Sequence, residues 1–242
     1  MIEISGLTKT YANGAVKAVD NLSLKVEAGE IFGFLGPNGA GKSTTIKSMI
    51  GVLPFEAGTV KIFGCDLKKN PLEAKKFIGF VPDNNVIYDK LTGIEYLNFM
   101  SAVYGVDNAT RKERIEKYGA LFNLSDDLSR QIKNYSHGMR QKICIMGAII
   151  HKPKLWILDE PMTGLDPQSA FDLKKLMREY CESGSTVFFS SHVLDVAEKL
   201  CDRVAIINKG RLVVDTTMAE LKEKQSDKSL EQYFLSVTGG SV

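Results

Sequence analysis

Residues Gly36 to Ser43 read Gly-Pro-Asn-Gly-Ala-Gly-Lys-Ser, and this run constrains the chain more than any other. It fits the pattern Gly, any four residues, Gly, Lys, then Ser or Thr. Before it, Glu30-Ile31-Phe32-Gly33-Phe34-Leu35 is apolar and strand-like; after it, Thr44 to Ile50 contains no Gly or Pro and reads as helix. A strand, a Gly-rich turn and a helix in that order aim consecutive backbone N–H groups at an anion, and the helix N-terminus adds partial positive charge. Gly36, Pro37, Asn38, Gly39, Ala40, Gly41, Lys42, Ser43 and Thr44 are therefore the expected phosphate-binding residues. Lys42 can reach the β- and γ-phosphates of a nucleotide, and the Ser43 hydroxyl can ligate Mg²⁺. A Gly-rich turn that matches by accident would not come with this strand and this helix.

A second cluster lies far along the chain. Leu155-Trp156-Ile157-Leu158 is a continuous apolar run, as expected of a strand buried on both faces, and Asp159-Glu160 follows it. Ligand sites of parallel sheets lie at the C-terminal ends of strands. Asp159 is then placed to hold Mg²⁺, directly or through water, and Glu160 to polarise a water for attack on the γ-phosphate. Taken alone, the pair also fits two solvated carboxylates. The phosphate loop tips the balance toward chemistry.

Between and around these motifs the pattern alternates. Strands are expected at Ile2 to Leu7, Ala18 to Val26, Gly58 to Gly64, Ile78 to Pro82 and Thr186 to Ser190, with a hairpin of Arg203 to Asn208 and Arg211 to Asp215 turning at Lys209-Gly210. Helices are expected at Thr92 to Tyr104, Thr110 to Phe122, Ser136 to about Ile150, Phe171 to Glu182 and Val193 to Leu200. Ser136 is the N-cap type, and with Gly138 behind it the helix N–H groups stay free to bind a phosphate. The tail from Thr217 is more polar and is expected to end flexibly at Gly239-Gly240-Ser241.

Bulk properties exclude other roles. The net charge of +2 gives no electrostatic case for nucleic acid or anionic lipid as the main partner. Cys65, Cys144, Cys181 and Cys201 are scattered without a Cys-x-x-Cys pair, which fits reduced thiols in a cytoplasmic protein. Met1-Ile2-Glu3-Ile4-Ser5 is not a signal peptide, and no stretch approaches the roughly 20 apolar residues that span a bilayer. Work at a membrane would need a partner.

Tyr135-Ser136-His137-Gly138-Met139-Arg140-Gln141 makes a resemblance specific. With the two motifs above, it is similar to the ATPase subunit of ABC transporters. Ser136 to Arg140 resembles the family's signature motif, Gly164-Leu165-Asp166 its D-loop, His192 its switch histidine, and Tyr11 the aromatic that stacks on adenine. The resemblance keeps the family order over nearly the whole chain. It implies a P-loop NTPase fold of α/β class, with a RecA-like parallel sheet core, an antiparallel β subdomain and a helical signature subdomain. The core and β subdomain would occupy residues 1–83 and 153–216, the helical subdomain 84–152 and a tail 217–242. It further implies ATP and Mg²⁺ as cofactors, with His192 bonded to the γ-phosphate, and Ser136, Gly138 and Asp166 meeting the ATP of a second subunit in a head-to-tail dimer. That second subunit would be another copy or a related ATPase. A separate transmembrane permease, contacted through the helical insert and residues 84–97, would tie the protein to the inner face of the cell membrane.

Two departures stand out. Asp83 occupies the position of the family's Q-loop Gln. A carboxylate also ligates Mg²⁺, but it brings negative charge near the γ-phosphate and is one methylene shorter. His137 stands where the commonest motif has Gly. A basic residue there, and an ending of the type Leu230 to Leu235 followed by Thr238-Gly239-Gly240, resemble exporter ATPases of the ABC-2 kind. An importer ATPase shares this enzymology. A soluble ABC-type ATPase of the ribosome or nucleic acid usually has two tandem domains or a coiled-coil insertion, and this chain has one domain and no heptad run.

Overall fold

A computed structural model describes residues 1–84, 87–224 and 229–239, without the side chains of Asn13 and Lys224. Its elements run β1 (Ile2–Tyr11), β2 (Val16–Val26), β3 (Ile31–Leu35), α1 (Lys42–Met49), β4 (Ala57–Ile62), β5 (Cys65–Asp66), α2 (Pro71–Lys76) and β6 (Ile78–Val81). Then follow α3 (Gly93–Val103), α4 (Asn108–Leu121), α5 (His137–Ile149), β7 (Leu155–Asp159), α6 (Pro167–Glu182) and β8 (Thr186–Ser191). The chain closes with α7 (Leu194–Leu200), β9 (Arg203–Asn208), β10 (Arg211–Thr217), α8 (Met218–Lys224) and α9 (Leu230–Thr238).

Two sheets carry the fold. The larger has the order β10-β9-β3-β8-β7-β6 and is parallel except for the expected hairpin of β9 and β10. The smaller, β2-β1-β4-β5, is antiparallel. Every residue of β3, β7 and β8 is buried, because layers cover both faces. The faces alternate with period two. Phe32, Phe34, Ile157 and Phe188 share one cluster with Ile46 and Met49 of α1 and the apolar face of the antiparallel sheet. Trp156, Leu158, Val187 and Phe189 share the other with α5, α6 and α7. Each of these large side chains, fully buried, contributes about 1.5–3 kcal/mol. Helix α1 and the loop before it are thus clamped between two sheets.

Local sequence explains the helix ends. Thr92 and Glu95 form a reciprocal capping box at α3, Asp107 caps α4, and Asp166 followed by Pro167 starts α6. Helices α4 and α6 therefore begin at Asn108 and Pro167, earlier than the periodicity predicted. Helix α1 begins at Lys42, inside the phosphate-binding run, so the amides of that turn belong to a helix N-terminus. The polar tail is also more ordered than expected. Its two helices pack back: Leu230 is buried, and Tyr233, Phe234 and Val237 lie against the main core. The expected flexible end at Gly239-Gly240-Ser241 falls mostly outside the described residues, as do positions 85 and 86 of the 84–97 segment. No helix among the described residues is long and apolar enough to cross a membrane.

Candidate functional site

Four parallel strands end at one edge. Leu35 pairs with Ser191, Asp159 with Ser190 and Val81 with Leu158. The next residues, Gly36, Glu160, His192 and Pro82-Asp83, therefore leave the sheet side by side. A cleft of about 260 Å³ opens there, lined by Ala18, Pro37 to Thr44, Asp83 and Glu160.

The loop is shaped by steric necessity. Gly41 has φ of 107°, and a Cβ there would stand 2.3 Å from the Ala18 carbonyl oxygen. A Cβ on Gly36 would stand 2.4 Å from the Ile207 carbonyl oxygen. Side chains at either place would push the loop off the strands that hold it. The Lys42 side chain is buried and its Nζ donates to the Gly36 carbonyl at 2.7 Å, lying 3.7 Å from Glu160 Oε1. It sits under the loop, where an ammonium meets phosphate oxygens.

Asp159 is fully buried. Ser190 donates its hydroxyl to Asp159 Oδ1 and accepts the Glu160 N–H at 3.1 Å, so one side chain fixes both acidic residues. Burial is the largest influence on Asp159 and lifts its pKa above the usual carboxylate range; the Ser190 and Ser43 hydroxyls work against that rise, and the charges of Asp83 and Glu160 add to it. Among the described residues Asp159 Oδ2 has no hydrogen-bond partner. A buried, unpartnered carboxylate oxygen is costly unless something else meets it. With Ser43 beside it and Asp83 on the same cleft, the donors are all hard oxygens, the set that suits Mg²⁺. The residues present fit that ion.

Glu160 adopts φ of 50°, in the left-handed region where non-glycine residues are uncommon. Such a conformation persists only where the surroundings impose it. Here they do. Glu160 Oε2 lies 2.9 Å from His192 Nδ1, Oε1 faces Lys42, and the backbone N–H is held by Ser190. The carboxylate stands at the cleft rim with an ammonium on one side and an imidazole on the other. His192 is half exposed. Asp83 is exposed, and its Oδ1 accepts the Asn84 N–H at 2.9 Å.

Not every expected residue meets in this cleft. Tyr11 ends β1, exposed, with the Lys9 ammonium 5.6 Å from its ring, and it does not line the cleft. Ser136, Gly138 and Asp166 form a separate group. Ser136 caps α5 by accepting the Met139 N–H at 3.3 Å. A Cβ on Gly138 would come 2.8 Å from the Gly164 carbonyl oxygen. Asp166 accepts from the Ser169 N–H and hydroxyl at 2.9 and 2.7 Å and pairs with Lys142 at 3.1 Å. The Ser169 bonds, then Lys142, hold its carboxyl well below the usual range. The residues that sequence reasoning passed over are Ala18, Ser190, Gln141 and Lys142. None of the four carried a signal of its own in the sequence: register, not residue type, sets Ser190 against Asp159.

This geometry can bind a nucleotide triphosphate, hold a divalent ion and direct a water at phosphorus. Comparison with known proteins agrees. A family model described as ABC transporter matches residues 19–163. The daunorubicin/doxorubicin resistance ATP-binding protein DrrA of Streptomyces peucetius is 41% identical over 221 residues, which cover 91% of this chain and 66% of that protein, so the chain spans about two thirds of its length. A solved ATP-binding subunit of an ABC transporter superposes with a TM-score of 0.93 at 31% identity, over 98% of this chain and 99% of the other. The dimeric structure of MJ0796, a bacterial ABC transporter cassette, gives a TM-score of 0.81 at 24% identity, over 90% of this chain and 99% of that one, a likeness of fold.

Proposed function

The chain belongs to the ABC transporter family of ATPases, and on that footing we propose that it binds and hydrolyses ATP to power export through a separate transmembrane permease. The observation that carries this reading is the meeting of Lys42, Asp159, Glu160 and His192 at one sheet edge above a glycine-shaped loop.

The loop from Gly36 to Thr44 cradles the β- and γ-phosphates with its amides, and Lys42 exchanges its bonds to the loop carbonyls for bonds to phosphate. Ser43, Asp159 and Asp83 would hold Mg²⁺, and the ion would neutralise developing charge on the phosphates. Glu160 takes a proton from the attacking water. His192 keeps Glu160 oriented through Nδ1 and reaches the γ-phosphate. Positioning and electrostatics supply most of the catalysis, since phosphoryl transfer asks little covalent help of a protein.

Tyr11 lies outside the cleft, at the end of β1, and stacks on the adenine. Ser136, Gly138 and Asp166 stand apart from their own chain's cleft because they address the ATP of a second subunit. The solved cassette with a TM-score of 0.81 is itself dimeric, which supports that arrangement. Residues 84–152 would move as a helical subdomain against a core of 1–83 and 153–216, with 217–242 as tail. An apolar groove of Phe80, Pro82, Ile87, Tyr88, Tyr96, Met100 and Cys144 opens beside Asp83 and suits the permease. Docking there would place the protein on the inner face of the cell membrane. Export is favoured because DrrA is a drug-resistance protein. Glu160→Gln is the test: ATP binding should persist while steady-state hydrolysis nearly vanishes, and full hydrolysis in that variant would overturn the assignment of Glu160.

A further inference from the structure

Ser190 sits inside β8, fully buried and register-matched to Asp159 of the neighbouring strand β7. Its hydroxyl meets the Asp159 carboxylate and donates to Oδ1. The same oxygen accepts the Glu160 N–H at 3.1 Å. A relay results, from the Glu160 amide through one hydroxyl to a buried carboxylate, and bonds in such a chain strengthen one another. The place calls for a hydroxyl, because the group must donate and accept at once on a stem one carbon long.

Glu160 has reason to leave its conformation. Its φ of 50° is uncommon for a residue with a side chain, and Pro161 favours an extended backbone at the residue before it. Two ties resist. Pro161 is anchored by the buried Gln141 amide, which donates to its carbonyl at 3.0 Å. The N–H end, about which φ turns, is anchored by Ser190. An extended Glu160 would swing its carboxylate away from Lys42 Nζ, now 3.7 Å from it, and from His192 Nδ1, now 2.9 Å away. A strained conformation at a reacting group persists only where its surroundings impose it, and here a single oxygen atom supplies part of that constraint.

We propose that Ser190 is a positioning residue: its hydroxyl, braced on Asp159, holds Glu160 in the left-handed conformation that keeps the base between Lys42 and His192. Ser190 acts through Glu160 rather than on the nucleotide, and its part in turnover rests on the ATPase reading above.

The test uses the purified full chain in two ways. Without nucleotide, proton–nitrogen NMR spectra of the chain's three imidazoles read the bond between His192 Nδ1 and Glu160 directly. Ser190→Ala should move the His192 signals to the positions they take in Glu160→Ala. With ATP, Ser190→Ala should lower kcat about tenfold, the scale of one lost hydrogen bond. The affinity for a fluorescent ATP analogue should stay within about twofold of wild type, as when only the transition state loses support. Ser190→Cys keeps the packing with a far weaker donor and acceptor; it should behave as Ser190→Ala does, and it decides the matter where the alanine variant fails to fold. Ser190→Thr, which keeps the hydroxyl, should keep the His192 signals and most of the turnover. Unmoved His192 signals in Ser190→Cys, a wild-type kcat there, an analogue affinity that falls as far as kcat, or a Ser190→Thr protein as slow as Ser190→Cys would each overturn the role given to Ser190. A wild-type chain that binds no analogue would instead refute the ATPase reading, and the nucleotide-free spectra would still judge the geometry.

Discussion

At the scale of single residues, the chain concentrates unusual features on a few positions. Glu160 is left-handed, Asp159 is buried with an unmet oxygen, and Lys42 is buried against carbonyls. Each is costly in an idle protein and makes sense where a triphosphate and its ion come to rest. Lys42→Ala should weaken ATP binding roughly 10- to 100-fold, the worth of a hydrogen bond to a charged group, and equilibrium titration would show it; unchanged affinity would contradict the role given to the loop. Tyr11→Ala should cost roughly 1–3 kcal/mol of ATP binding and spare the binding of inorganic triphosphate, which has no base to stack. Equal losses for both ligands would remove Tyr11 from the site. Much of this level was legible in the sequence. Gly36 to Ser43 and Asp159-Glu160 are contiguous, and their chemistry follows from residue type and order. Ser190, Gln141 and Lys142 were not legible, because their roles arise from strand register and helix packing that bring distant segments together.

At the scale of elements, the joint between α3, α5 and β6 bears on stability. Tyr104, which follows α3, stacks on His151, which follows α5, with centroids 3.6 Å apart and planes 6° from parallel. Neither nitrogen of His151 has a hydrogen-bond partner among the described residues. Burial, the largest influence, pushes its pKa down to about 4 against an opposing interaction with the Ile78 backbone, with Arg114 adding to the fall. The unfolded chain, where His titrates at 6.5, then binds more protons than the folded one between those values. The contribution is thus complete above pH 6.5 and is lost progressively as pH falls toward 4, by at most about 3 kcal/mol. Urea melts of the wild type should weaken over that interval, and His151→Phe, which keeps the stack, should flatten the dependence. Identical slopes would contradict the buried neutral imidazole. Strands β3, β7 and β8 and helices α3 and α5 were readable because long apolar runs or clear periodicity announce them. Helix α9 was not, since the three partly buried residues it sets against the core, Tyr233, Phe234 and Val237, stand among polar neighbours. Its stability is tertiary, helped by the Ser229–Gln232 capping box.

At the scale of the whole molecule, two groups of functional residues sit apart on one chain. The cleft holds a phosphate loop, two carboxylates and a histidine; the α5 N-terminus, with Ser136, Gly138 and Asp166, faces elsewhere. A protein that used only its own cleft would leave the second group without a purpose, whereas two copies placed head to tail would give each cleft a cover. The most direct measurement is the mass of Glu160→Gln in solution, by light scattering with size exclusion, with and without saturating Mg²⁺ and ATP. With hydrolysis blocked, ATP should double the mass from the 26.7 kDa of one chain, and Ser136→Arg in the same background should keep ATP binding but stay at the smaller mass. An ATP-loaded Glu160→Gln protein that remains a single chain would contradict a site completed by a second copy.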